Sequence, residues 1–516
     1  MGILVGLLAG YATLGLRLGI AQVERLVFGA TEENLATAAA ALPWWILLLL
    51  PIGTGVVIAL LLLVGQRTGL VPNARAGSVA DLLEARAVKG GRIELKSGLY
   101  SSLLAILSLG GGASAGREGP AVHLGGTMAS WLAGLISLGP RGSRTLLACG
   151  AAAAVSASFN APVAGALFAF EVVLGHYALR TIAPVAVASV IGALIVRVHL
   201  GPDPVFGLLE VHQATLWDYP AAAVLGIAAA GLAILFDRGM LQGVQTVEHR
   251  AQRWNIPLWC LPIPGGALIG AIAVFAPEIL GVGYEATSNA LATQYVFGEL
   301  LLLIVLKTIA TQITLAFRFA GGVFSPSIYL GAMLGSAFGL MMTVFLGDQT
   351  AGAGFFAVIG MGAVAGAVLG APLSTTLIVF ELTSSYEAAV AVLVAVSLAT
   401  ALTQSALGGS LFQKQLQSRG YDLSGGSSRL VLQMIRVRDV MMPLGDWGGA
   451  VADEEVCVYV DDTLGRTLGV FEAEDLDGAA VRARHGAQEI VGWITKADAH
   501  AAYAKALADI SEEEHQ

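Results

Sequence analysis

The stretch GREGPAVHLGG at residues 116–126 returns 206 positions later as GVFSPSIYLGA at 322–332, with Gly116, Pro120, Leu124 and Gly125 matched by Gly322, Pro326, Leu330 and Gly331. A second stretch, APVAGALFAFE at 161–171, returns at an offset of 210 as APLSTTLIVFE at 371–381. There Ala161, Pro162, Leu167, Phe170 and Glu171 are matched by Ala371, Pro372, Leu377, Phe380 and Glu381. Two segments repeated in the same order at nearly one offset mark a duplication, with halves at about 1–200 and 215–412. The residues alone leave open whether the halves run parallel or inverted. Each repeated stretch breaks an apolar run with Gly and Pro, and broken backbone at membrane depth is tolerated only where it lines a cavity or is buried in protein. Interrupted segments at matching positions point to a transport site between the halves.

Composition sets the medium. The 516 residues are 56% hydrophobic and 13% charged, with a mean hydropathy of +0.75, which excludes a cytoplasmic globular enzyme. Apolar stretches of membrane-spanning length recur at 3–29, 42–65, 181–197, 220–236, 258–280 and 384–407. The first reads as a membrane helix rather than a signal peptide, because no basic segment precedes it and no small-residue cleavage site follows. After residue 414 the chain turns charged and polar, and much of the net charge of −9 belongs to that tail. Cys149, Cys260 and Cys457 lie far apart and read as small core residues, with no metal site and no disulfide framework.

A helix is expected to open near Gly119, with Pro120 in its first turn. Its first amides lack intrahelical partners and carry part of the helix dipole, so they form an anion site without a full cation. Ser325-Pro326 repeats the arrangement, and Gly321, Gly322, Val323 and Phe324 supply loop amides that can converge on the same place. Glu118 stands at the first helix start, where its carboxylate competes with a transported anion for those amides and swings away when protonated. It is therefore the candidate gate and proton acceptor. Arg117 reads as an orienting or interfacial charge, and His123 as a packing histidine. Glu171 and Glu381 read as reaching the membrane interface or pairing with a cation. Lys307, inside an apolar run, either raises the potential of the pathway or snorkels. An intramembrane hydrolase is not expected, on the reading that GxSxG, HExxH and paired membrane aspartates are all missing.

Over about residues 1–415 the chain resembles the CLC family of chloride channels and proton-coupled chloride exchangers. The resemblance is carried by GREGP at 116–120, FNAPVAGALFAFE at 159–171, GGVFSP at 321–326 and APLSTTLIVFELT at 371–383. It implies an all-α polytopic membrane protein built as an inverted repeat with broken helices. It further implies a homodimer in the lipid bilayer with one pore per subunit, and chloride held by helix N-termini. Glu118 then matches the external gating glutamate, and the amides of Val323 and Phe324 match the anion-binding loop. Arg117, Gly119 and Gly322 fall beside them. No cofactor or metal is expected, and no nucleic-acid partner. An inner-membrane location with a cytoplasmic tail completes the expectation.

Three positions depart from the family pattern. A Gly-Ser-Gly-Ile-Pro loop would give a serine hydroxyl to the central anion, whereas this chain has Ala76-Gly77-Ser78-Val79-Ala80, so the hydroxyl of Ser78 is shifted by one position or lost. The family's central tyrosine falls on Phe412. The internal proton glutamate of many exchangers falls on Val172, which cannot relay a proton. A hydrogen bond to a charged group contributes about 1.5–3 kcal/mol, so these losses weaken the central site and favour channel-like or weakly proton-coupled transport of chloride or another small anion. A strict antiporter with a non-standard proton path, another secondary anion carrier and a membrane anion sensor are the alternatives. Beyond a linker at 416–436, residues 437–510 resemble a degenerate CBS domain, small and α/β. VRDVM is like the start of one repeat and EIVGWITKADAHAAY like the end of another, each read as a short strand followed by a helix. With only about fifty residues between them, no nucleotide site is expected, and the tail is expected to tune gating or assembly.

Overall fold

A computed structural model describes residues 1–201, 214–421, 432, 435–443, 457–483 and 489–515. The chain divides into two compact units, Met1–Lys414 and Gln415–Gln516. Regular structure in the first unit is helical among the described residues. The first half holds α1 (Gly2–Phe28), α2 (Leu35–Ala40), α3 (Trp44–Arg67), α4 (Val79–Val88), α5 (Leu95–Gly110) and α6 (Glu118–Leu135). It continues with α7 (Pro140–Phe159), α8 (Pro162–Phe168), a π-helical turn at Ala169–Leu174, and α9 (Leu179–Leu200). The second half holds α10 (Asp218–Arg253), α11 (Pro262–Ala273), α12 (Tyr284–Leu291), α13 (Phe297–Ala316) and α14 (Phe324–Leu346). It closes with α15 (Ala353–Leu369), α16 (Pro372–Thr383), α17 (Tyr386–Leu407) and α18 (Leu411–Ser418).

Proline and left-handed residues set where these helices start and stop. Pro140, Pro162, Pro262 and Pro372 open α7, α8, α11 and α16, where a missing N–H is no loss. Left-handed Asn160 and Gly370 end α7 and α15 at repeat-matched places. Seven helices among the described residues are long and apolar enough to cross a membrane. The run at 258–280 is not one of them. Pro262 and Pro277 confine its helix to the 12 residues of α11, about 18 Å at 1.5 Å per residue, which is short of a hydrocarbon core of about 30 Å.

The two halves meet through their own repeat mates. Gly116 and Gly322 exchange both backbone hydrogen bonds, each 2.7 Å, in an antiparallel bridge. The Glu171 carboxylate accepts from the amides of Leu373 (2.9 Å) and Ser374 (2.8 Å) at the start of α16. Reciprocally, Glu381 accepts from Val163 (3.0 Å) and Ala164 (2.8 Å) at the start of α8. Contacts that map onto themselves when the halves are exchanged define a pseudo-two-fold axis between the halves. Helix crossings repeat as well: α6 meets α7 at Gly125 and Gly150, and α14 meets α15 at Gly331 and Gly360, where small residues let backbones touch. Glu171 and Glu381 thus cap the helix starts of the opposite half.

The second unit contains β1 (Met442–Pro443), β2 (Cys457–Tyr459), α19 (Leu464–Ala473), β3 (Gly478–Arg482), β4 (Ile490–Thr495) and α20 (Lys496–His515). Its sheet runs β1-β4-β3-β2, with β2 parallel to β3 and the other pairs antiparallel. Val437, Val458, Leu464, Phe471, Val481 and Ile494 form its core. The strand followed by helix expected at 489–507 is β4 and α20. At 437–442 the expectation is corrected: Val437–Asp439 is a 3-10 turn, because the Asp439 carboxylate takes the Arg436 amide at 3.2 Å and curls the backbone before β1. Residues 444–456 and 484–488 of the CBS-like span, and most of the linker at 422–434, lie outside the described residues.

Candidate functional site

The bridge between Gly116 and Gly322 brings the starts of α6 and α14 together, with Arg117 and Val323 as their N-caps. A Cβ built on Gly322 would stand 3.0 Å from the amide nitrogen of Gly119, so the crossing requires a bare backbone. Two sets of unpaired helix amides therefore converge in the buried interior, a field that favours an anion. Glu118, 1% exposed, is the first residue of α6. Its Oε2 and the amide of Ser325 both lie within 3 Å of the point where a Cβ on Gly116 would stand, at 2.7 and 2.9 Å. Oε2 and the Ser325 hydroxyl are buried and hydrogen-bonded to nothing among the described residues. The Phe324 ring closes one side of the junction against Phe159 and Phe168, with centroids at 4.9 and 6.2 Å. Val323 and Phe324 are buried.

Residues distant in sequence complete the surroundings of Glu118. The Tyr284 hydroxyl donates to Glu118 Oε1 at 3.0 Å. The Arg117 guanidinium carbon lies 4.8 Å from the centre of the Tyr284 ring, and Arg117 Nη1 donates to Glu32 Oε1 at 2.6 Å. Arg17 approaches Glu32 at 3.6 Å, and Glu24 is fully buried on α1. Arg117 is thus an orienting charge with a carboxylate partner. Lys307 neither snorkels nor faces an open path. It is fully buried on α13, and its Nζ donates to the carbonyls of Ile279 (2.9 Å) and Gly281 (3.0 Å) and sits 5.1 Å from the centre of the Tyr329 ring.

The offset of 206 maps Ser78 onto Tyr284 and His123 onto Tyr329. The structure honours that mapping, since a Cβ on Gly77 would strike the His123 ring at 2.2 Å and a Cβ on Gly283 would strike the Tyr329 ring at 2.7 Å. His123 accordingly fills a packing slot. Gly77 donates its amide to Ser101 Oγ at 3.0 Å. Ser78 caps the start of α4. Its hydroxyl donates to Asp81 Oδ2 at 2.7 Å, and Asp81 is itself gripped by Arg75 at 2.7 and 2.9 Å, so the hydrogen is already committed. Phe412 is buried in the first turn of α18 and offers no hydroxyl. Val172 lies in the π-helical turn, next to the cap Glu171. The expected absence of GxSxG is corrected by Gly112, Ser114 and Gly116, where the Ser114 hydroxyl lies 3.5 Å from Thr311 Oγ1 and its amide donates to Thr314 Oγ1 at 3.1 Å.

Comparison with known proteins places the chain in a family. A family profile described as voltage gated chloride channel matches residues 54–404. A ClcB-like chloride channel protein of Ralstonia nicotianae is 33% identical over 392 residues, covering 74% of this chain and 88% of that protein. An H(+)/Cl(-) exchange transporter, ClcA of Cronobacter sakazakii, is 31% identical over 433 residues, covering 81% of this chain and 88% of that protein. The fold is shared with the crystal structure of a slow cyanobacterial Cl-/H+ antiporter, with a TM-score of 0.70 at 22% identity, covering 81% of this chain and 96% of that one.

Proposed function

The chain is a multi-pass membrane protein of the voltage gated chloride channel family, the CLC family, and from that membership we propose that it carries chloride or a similarly small anion across the membrane, with Glu118 as its gate. The observation that carries the reading is the ionisable side chain of Glu118 standing where the amide-rich starts of α6 and α14 meet. A dehydrating anion is stabilised there by oriented dipoles. The Glu118 carboxylate is a tethered anion that occupies the same field, and a proton removes its claim to it. Arg117, compensated by Glu32, orients the approach without forming a deep trap. Transport needs binding strong enough to strip water and weak enough to release.

Channel-like or weakly proton-coupled conduction is the mode proposed. The Ser78 hydroxyl is committed to Asp81, Phe412 has no hydroxyl, and Val172 has no proton to pass. A strict antiporter is the second reading, favoured by the presence of Glu118 and by the similarity to an exchange transporter. The working unit is proposed to be a homodimer in the inner membrane, with the tail on the cytoplasmic side. The test is anion efflux from liposomes holding the purified protein, with proton movement read simultaneously under a chloride gradient. Chloride flux with little or no uphill proton movement is expected, and tight uphill proton movement would establish the antiporter. Glu118→Gln, which mimics the protonated gate, is expected to keep or raise flux and to flatten its pH dependence. Retained pH dependence would place the gate elsewhere.

A further inference from the structure

Tyr284 is held from every side. It opens α12 and is 5% exposed, with its ring beneath the Arg117 guanidinium and its hydroxyl on Glu118 Oε1. The loop leading to it is fastened by Lys307 through the carbonyls of Ile279 and Gly281. Gly283 is pressed between Tyr329 and Lys307, for a Cβ there would meet the Tyr329 ring at 2.7 Å and Lys307 Nζ at 3.3 Å. The next residue, Glu285, turns the other way and takes the amides of Ala36 (2.7 Å) and Thr37 (3.2 Å). The phenol is therefore aimed at Glu118 before any ligand arrives, and a phenol is a donor throughout the physiological pH range.

We infer that Tyr284 is the latch of the gate, a positioning residue that holds the ionised Glu118 side chain across the helix junction, with Lys307 holding Tyr284 in place. The inference rests on Glu118 being the gate. A donor binds an ionised carboxylate about twice as strongly as a neutral acceptor, so the bond favours the closed, charged form and slackens when Glu118 takes a proton. The charged groups facing this bond are Arg117 at the start of α6, Glu32 in the loop after α1, and Arg17 on α1, with Glu24 facing Arg117 and Glu32. Lys307 lies behind the Tyr329 ring. Arg117 and Glu32 compensate one another, which leaves the phenol as the donor that responds to the charge of Glu118.

The experiment compares anion efflux against pH for the full-length protein, Tyr284→Phe, Glu118→Gln and the double variant, all in liposomes. Phenylalanine keeps the ring under Arg117 and removes only the hydroxyl. Tyr284→Phe is expected to move the flux curve to higher pH by about one unit and to raise flux at neutral pH about 3- to 10-fold. The double variant is expected to match Glu118→Gln. If Glu118→Gln is flat with pH and Tyr284→Phe overlays the unsubstituted protein, the latch is overturned while the gate stands. If Glu118→Gln keeps its pH dependence, gate and latch fall together. A merely structural Tyr284 would lower flux at every pH without moving the curve, which also overturns the inference.

Discussion

The Ser325 hydroxyl and Glu118 Oε2 are buried polar atoms at one junction. An unpaired buried polar group costs about 1–3 kcal/mol, a penalty removed when an anion meets the hydroxyl or a proton meets the carboxylate. Ser325→Ala is accordingly expected to weaken chloride binding about 3- to 10-fold, close to 1 kcal/mol, while the protein remains folded. Calorimetric titration checks this, and an unchanged binding constant would remove the hydroxyl from the site. Glu118, Gly119, Gly322 and Phe324 could be found from sequence because helix-start chemistry and the repeat coincide on them. Tyr284 and Glu32 could not be found by local reading, since they reach Glu118 and Arg117 across 166 and 85 residues of chain. A signal for Tyr284 was nonetheless available. Carrying Ser78 forward by the 206-residue offset lands on it.

Among elements, the reciprocal caps govern how α8 and α16 are placed. Each carboxylate pairs two amides that the helix start would otherwise leave without intrahelical partners, and loss of a cap costs about 0.5–2 kcal/mol. Glu171→Gln and Glu381→Gln are expected to lower the thermal unfolding midpoint in detergent by similar amounts, because the two sites are related by the repeat. Loss confined to one of them would break that equivalence. Sequence periodicity locates these helices but not the capping role of either glutamate, because the partner amides lie more than 200 residues away. At 258–280 hydropathy suggests one span, whereas the prolines confine the helix to α11.

At the scale of the whole molecule, composition and the two duplicated stretches were enough to indicate a membrane unit of two halves followed by a polar tail. The two-fold relation of the halves is not written in the sequence, because it lies in which residue meets which, and Gly116 pairing with Gly322 is a fact of three dimensions. The second unit has its own sheet and core. Ending the chain after Gly420 is expected to leave the helices folded and to lower anion flux or the dimer fraction, read by liposome efflux and light scattering. A truncated protein equal to the full chain in both would leave the tail without a part in transport or assembly.

The exchanged caps also set a schedule for synthesis. The amides of Val163 and Ala164 wait for a carboxylate that lies 218 and 217 residues further along the chain. At about 5–20 residues per second, roughly 10–40 s pass between the emergence of α8 and that of its cap. Throughout that interval the start of α8 stands without the carboxylate that later caps it, so the first half reaches its final arrangement only after α16 has been made.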